Sequence, residues 1–255
     1  MRIIKIPVSA GWLKKTTGVE KAPDKIVQCL DNFWFSEIGV LPVFSFDEVE
    51  IPTQDNIINK IKSEEGQFII LGGDHSLTYP AFKGFALNHK KNPGIIVFDA
   101  HPDLMSVTDP VNHENHLRAL IEQGIVKKEN VILVGIRNSD PDEMRFVKAN
   151  KIKCFPMIEI AQEGKEAVCD AVMAAAKDFD SLYLSIDLDV VDAAFVPGLT
   201  YPEVAGLTSR ELFYFLHRLK KLKNLKAVDV VELNPDKDIR DITALFAAKI
   251  VYELC

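Results

Sequence analysis

The sequence predicts an α/β fold of three layers, α/β/α, with helices on both faces of a mostly parallel central sheet of about eight strands. Three observations carry this. Short runs such as FIIL, IIVF and VILV are apolar at every position rather than at alternate ones, the pattern of strands buried on both faces. Segments with apolar residues three and four apart separate these runs. Several runs also end in polar side chains, where open parallel sheets bind ligands.

Taken in order, Arg2 to Val8 is the first strand. The loop after it carries turn residues and a basic pair, and its Trp12 reads as an aromatic plug, with ligand stacking as the alternative. Pro23 to Trp34 has helical spacing at Ile26, Val27 and Leu30, and Asp24 near its start suits the helix dipole. Gly39 to Phe44 reads as a second strand and Thr53 to Ile61 as an amphipathic helix. QFIILGGDHS (Gln67 to Ser76) is a strand, two glycines for a sharp turn, then Asp74 and His75. Ser76 is expected to cap a helix from Leu77 to Asn88. IIVFDAHPD (Ile95 to Asp103) is a strand opening into Asp99, His101 and Asp103.

A helix is expected to begin near Asn115. Val131 to Ile136 is a buried strand followed by Arg137, Asn138 and a turn at Ser139 to Pro141, with Arg137 expected to be tied to nearby acids. Ile152 to Phe155 is a short strand and Glu166 to Asp178 a helix. SLYLSIDLDVVD (Ser181 to Asp192) repeats the design, a strand ending in Asp187 and Asp189. Thr208 and Glu211 form a capping box for the next helix. Leu225 to Leu233 is the last strand and Asp238 to Leu254 the closing helix.

Composition bounds the rest. At 255 residues and 47% hydrophobic, the chain suffices for one core, and a single domain over 1–255 is expected. A net charge of −7 and a pI near 5.4 argue against nucleic acid or an anionic membrane as partner. The thiols of Cys29, Cys154, Cys169 and Cys255 show no CxxC spacing and read as free thiols of a reducing cytoplasm. MRIIKIPVSAGWLKK has no signal-type apolar core, and no run approaches the ~18 residues of a membrane span.

Residues two apart on an extended chain point to one side, so Asp99, His101 and Asp103 converge, as do Asp187 and Asp189. With His75 they make two imidazoles and four carboxylates at the ends of three apolar strands. Four carboxylates packed together repel, whereas two divalent cations balance them. Oxygen and imidazole donors without thiolate favour harder ions such as manganese over structural zinc. The residues therefore predict a binuclear site that activates water.

GGDHS, DAHPD and SIDLDVVD, in this order, resemble the three signature motifs of the arginase–agmatinase (ureohydrolase) superfamily, over Gly72 to Pro235 and by expectation the whole chain. The resemblance implies an arginase-like fold and two Mn²⁺ per chain: His75 and Asp103 on one ion, His101 and Asp189 on the other, Asp99 and Asp187 bridging. It implies hydrolysis of a guanidino (amidine) C–N bond by a metal-bridging hydroxide, releasing urea from an agmatine-, arginine- or guanidino-acid-like substrate. It also implies a homo-oligomer, trimer or hexamer. VVELNP resembles the strand end whose Glu pairs with the guanidinium, which assigns that role to Glu232; a carboxylate there suits a cationic amidine.

Departures from the pattern are as informative. No HG pair follows DAHPD, but His113 and His116 in NHENH stand fourteen and seventeen residues past Asp99, and either suits a proton shuttle. Asp103 is expected to pass a proton toward the leaving nitrogen. Met105 replaces the Asn that reads an amino-acid carboxylate in arginases and is expected to face an apolar part of the substrate or the core. Ala193 replaces a proline, and Leu199, Thr200 and Tyr201 replace a small-residue turn, so Tyr201 either narrows the pocket or redirects the loop. The alternatives are a formimidoylglutamate-type or other amide hydrolase on the same fold, or a non-catalytic arginase-like protein.

Overall fold

The computed structural model describes residues 1–9 and 17–255, so Trp12 lies outside the described residues. Among the described residues eight strands form one sheet: β1 (Arg2–Ile6), β2 (Ser45–Glu48), β3 (Phe68–Gly72), β4 (Pro93–Phe98), β5 (Val131–Val134), β6 (Lys153–Phe155), β7 (Ser181–Asp187) and β8 (Leu225–Val231). Their order is β2-β1-β3-β8-β7-β4-β5-β6, and every pairing is parallel. Parallel neighbours need crossovers, and the helices supply them.

Strand pleating divides the core in two. On β4, Ile96 and Phe98 join one apolar cluster while Ile95 and Val97 join the other. The first cluster is covered by α1 (Ala22–Leu30), α7 (Lys165–Ala176), α8 (Ser209–Leu219) and α9 (Ile242–Glu253). The second is covered by α2 (Gln54–Lys62), α3 (Thr78–Asn88), α4 (His116–Glu122) and α5 (Pro141–Asn150). A short α6 (Met157–Glu163) precedes α7. The result is the expected three-layer α/β/α architecture. The four central strands β3, β8, β7 and β4 are consecutive neighbours, so their C-terminal ends meet at one place.

Several expectations are corrected. Residues 39–44 are not a strand; the strand is Ser45–Glu48, at the sheet edge. The apolar run Val40, Leu41, Val43 is exposed rather than buried, and Pro42 lacks the N–H a ladder requires. Ser76 is not a helix cap: Asp74 caps a 3-10 turn (His75–Leu77), accepting from Ser76 N–H at 3.1 Å, and α3 follows. The closing helix starts at Ile242 rather than Asp238. Arg240 and Asp241 take positive φ, and the Asp238 carboxylate caps the helix from outside it, accepting from Thr243 and Ala244 N–H. The capping box at Thr208 and Glu211 is present as expected.

Candidate active site

Each central strand delivers its polar groups by its own local device. After β3 the chain turns at Gly73, where an added Cβ would lie 1.7 Å from the Val8 carbonyl oxygen, so only glycine passes. Asp74 N–H donates to that oxygen and Glu232 N–H to the Gly73 carbonyl, which joins the ends of β3 and β8 beside His75. After β4, the Asp99 carboxylate accepts from His101 N–H at 2.6 Å. After β7, Asp187 accepts from Asp189 N–H at 2.8 Å, and Asp189 in turn accepts from Ala100 N–H at 2.9 Å. Asp103 and Glu232 hold φ of 53° and 71°. Left-handed backbone at two non-glycine residues, each costing on the order of 1 kcal/mol, is strain of the kind that collects at functional sites.

The six predicted ligand-type residues come together. His75 Nδ1 lies 3.0 Å from Asp99 Oδ2 and 3.1 Å from both Asp103 and Asp187. His101 Nδ1 lies 2.9 Å from Asp189 and 3.4 Å from the other oxygen of Asp99. Two overlapping donor sets follow, His75–Asp99–Asp187 and Asp99–His101–Asp189, with Asp99 offering one oxygen to each. A third set joins His75, Asp103 and His116.

A hydrogen-bond chain decides which nitrogen of His75 faces this cluster. Ser185 Oγ donates to Asp229 at 2.7 Å, so its lone pair is left to accept from His75 Nε2 at 2.9 Å. Thr78 and Tyr183 hydroxyls donate to the other Asp229 oxygen, and all four partners are buried. With Nε2–H committed, Nδ1 is the free lone pair. Both Nδ1 and Asp99 Oδ2 are buried without a hydrogen bond, their close approaches lacking the alignment of one. A lone pair surrounded by carboxylate oxygens is repulsive unless a proton or a metal cation lies among them, and the same carboxylates raise the His75 proton affinity when no metal is bound. The donor set therefore fits divalent metal, and its oxygen and imidazole chemistry fits the ions expected from sequence.

Burial acts against the Asp103 charge, but His116 and His75 outweigh it and hold its carboxyl well below the usual range. Asp187 is pushed well above its ordinary value by burial, then by Asp189 and Asp99. Asp189 rises to about 6 from burial and Asp99, and Glu232 to about 8 from burial and Asp74. His75 and His101 are raised by their carboxylates against burial. Raised groups hold protons in the folded state that the unfolded chain releases. Their stabilisation fades from 3.8 toward about 6 for Asp189 and from 4.5 toward about 8 for Glu232. The lowered Asp103 has already given its full contribution above its ordinary value of 3.8. The Tm of the chelator-treated protein should thus fall between about pH 5 and about pH 8, and the Tm gain on adding Mn²⁺ should grow through the lower part of that window, where metal replaces the Asp189 proton. Scanning calorimetry at matched ionic strength reads both, and a gain independent of pH would show that Asp189 does not bind the ion.

The two candidate histidines separate. His116 is fully buried, with Nδ1 3.3 Å from Asp103 and 3.1 Å from the His113 carbonyl, and its ring 4.3 Å from that of His75. His113 lines the open cavity and stacks on Tyr201 at 6.1 Å, and the Nδ1 of one and the hydroxyl of the other have no hydrogen-bond partner among the described residues. Met105, Tyr201 and Glu232 also line this cavity of about 390 Å³. Arg137 is not tied to acidic side chains: its guanidinium donates to backbone carbonyls, including those of Asp189 and Val204 at 2.6 and 2.7 Å.

Several contributors were not foreseen. Glu203 accepts from Asn138 at 2.8 Å and lies 3.3 Å from His101 Nε2, orienting that ring. Glu143 is buried and ties Leu104 N–H to Asp140 N–H, fixing the segment after Asp103 to the start of α5. Asp229 and Ser185 act behind His75. For Glu143 the signal was available: Asp140 and Glu143 have capping-box spacing after a turn.

The family model described as Arginase family matches residues 1–255. The chain belongs to the arginase family. It is 32% identical to a formimidoylglutamase of Halalkalibacterium halodurans over 98% of this chain and 84% of that protein. It is 30% identical to an arginase of Bacillus subtilis over 77% of this chain and 71% of that one. The structure of a formimidoylglutamase from Bacillus subtilis superposes with a TM-score of 0.90 at 24% identity, covering 99% of this chain and 85% of that chain, which shows the shared fold. This arginase-family chain is accordingly a hydrolase of the binuclear-metal amidinohydrolase type. Among its described residues no helix is long and apolar enough to cross a membrane.

Proposed function

We propose that this arginase-family hydrolase binds two Mn²⁺ and cleaves the C–N bond between an alkylamine nitrogen and the amidine carbon of a small guanidine. In the balanced reaction a guanidinium and water give an alkylammonium and urea. The observation that carries this is Asp99, whose two oxygens serve the His75 set and the His101 set at once. His75 and Asp103 would hold one ion and His101 and Asp189 the other, with Asp99 and Asp187 available to both. The bound pair supplies Lewis acidity that brings water's loss of a proton into the neutral range.

The chain's own groups do the rest. Glu232 is 7% exposed, and one of its oxygens accepts from His75 N–H at 2.7 Å, which leaves the other for the N–H groups of the amidinium. Asp103 takes a proton from the attacking water and hands it to the departing nitrogen. His116, packed against Asp103, orients that carboxylate, and His113 in the cavity wall exchanges protons with solvent.

A second reading is favoured by the 32% identity to a protein named formimidoylglutamase: the same attack on a formimidoyl group, giving formamide and an amine. Product analysis separates the two. The chelator-treated protein is reloaded with Mn²⁺, its metal counted by mass spectrometry, and urea and formamide are assayed on a panel of guanidines and formimidoyl compounds. About two Mn per chain with urea as product supports the proposal; metal binding with formamide alone selects the second reading; no bound metal refutes both. Glu232→Gln keeps an acceptor for His75 N–H but removes the charge. It is expected to lower kcat/KM by about 100-fold or more with Mn content unchanged.

A further inference from the structure

The two imidazoles of the centre are held from behind by different means. His75 is fully buried, and its Nε2 is engaged by Ser185, which is bonded in turn to Asp229. His101 has no such support from the core. Its ring stands half-buried in the cavity wall. Among the described residues its Nε2 has one hydrogen-bond partner, the Glu203 carboxylate at 3.3 Å.

Glu203 is itself fixed at both ends. The Asn138 amide donates to the same carboxylate oxygen at 2.8 Å. The Glu203 backbone carbonyl accepts from Ala193 N–H at 2.9 Å and from the Arg137 guanidinium at 3.2 Å. Arg137 also donates to the carbonyls of Asp189 and Val204 at 2.6 and 2.7 Å, which ties the Glu203 segment to the end of β7 where Asp189 stands. Gly206 leaves the room this needs, since a Cβ there would lie 2.7 Å from the guanidinium. The connections after β5 and after β7 thus converge on one imidazole.

That bond decides which nitrogen can serve an ion. The Glu203 oxygen already accepts from Asn138, so Nε2 is the donor of the pair and Nδ1 is left for a metal. Nδ1 lies 2.9 Å from Asp189 and 3.4 Å from Asp99. Without its carboxylate partner a half-buried ring is free to rotate or to swing toward solvent, and an ion would have to order it at a cost in affinity.

We infer that Glu203 is a positioning residue for the ion at His101 alone. Its carboxylate holds the ring with Nδ1 toward Asp189 and Asp99, while the ion at His75 depends on the separate chain through Ser185. This rests on the two-ion reading above and adds that the two ions have independent supports, one in the core and one in the cavity wall.

The test is Mn²⁺ titration of the chelator-treated full chain as wild type, Glu203→Ala, Glu203→Gln, Ser185→Ala and the Glu203→Ala/Ser185→Ala double variant. Calorimetry reads the affinities, electron paramagnetic resonance tells a lone Mn²⁺ from a spin-coupled pair, and circular dichroism checks the fold. Glu203→Ala should weaken one ion by about tenfold or more and leave the other at its wild-type affinity. The lone-ion spectrum should then appear at one equivalent and the coupled spectrum only at higher Mn²⁺. Glu203→Gln keeps an acceptor for Nε2 without the charge and should weaken the same ion roughly threefold. The double variant should weaken both ions. A general structural role of Glu203 would loosen the two alike. Unchanged affinities in both Glu203 variants, equal weakening of the two ions, or one ion left at wild-type affinity in the double variant overturns the inference and leaves the two-ion reading standing. A wild type that binds fewer than two Mn²⁺ overturns both.

Discussion

Asp99→Asn is expected to abolish hydrolysis, by at least about 1,000-fold in kcat, while leaving the fold in place. Asparagine keeps the oxygen that accepts from His101 N–H and changes only the charge and the second donor atom. That second atom faces His75, so one amide nitrogen takes the place of a ligand oxygen in the His75 set. Bound Mn should drop to about one per chain or less. Metal analysis, circular dichroism and turnover of one sample decide the matter. Full metal content with full turnover would remove Asp99 from the centre of the mechanism, and a lost fold would say that its role is structural.

The second large effect lies behind the site. Asp229 is fully buried between β3 and β7 and accepts from Thr78, Tyr183 and Ser185 hydroxyls. Asp229→Ala leaves three buried donors without an acceptor and a void among them, and is expected to cost about 3 to 5 kcal/mol. Against a total stability of roughly 5 to 15 kcal/mol this is a large share. It also releases Ser185 to donate toward His75 Nε2, so the imidazole no longer has to keep its lone pair on Nδ1. The folded fraction should therefore bind Mn²⁺ at least about tenfold more weakly. Ser185→Ala removes one link and should cost less stability while weakening metal by a similar factor. Urea unfolding and metal titration of both variants check this; a loss under about 1 kcal/mol for Asp229→Ala would show that the network is solvated.

The contrast between these two residues shows what was legible in the sequence. Asp99, His101 and Asp103 were readable because convergence at spacing two is a local property of an extended chain, and the apolar run before them fixed that conformation. Asp229 was hidden because its partners lie as many as 151 residues away in sequence, and nothing local marks an Asp inside an apolar strand as an acceptor for three hydroxyls. Glu203 was missed for the same reason: its contact with His101 spans 102 residues. His113 and His116 could not be ranked by spacing, since what separates them is depth, set by where α4 begins. The misplaced second strand has another cause. Val40, Leu41 and Val43 are apolar yet exposed, so the rule that apolar runs are buried strands fails on an exposed surface.

The sheet order has a consequence for how this protein can change. The groups that would hold metal come from the ends of β3, β7 and β4, and β8, seated among them, carries Glu232. Met105, Glu114, Tyr201 and Glu203 belong to connections outside those strands. The workshop and its doorway are thus separately built. A library randomised at Met105, Glu114 and Tyr201 should yield altered substrate preference at nearly constant metal affinity, so that selection can retune the entrance without dismantling the bench.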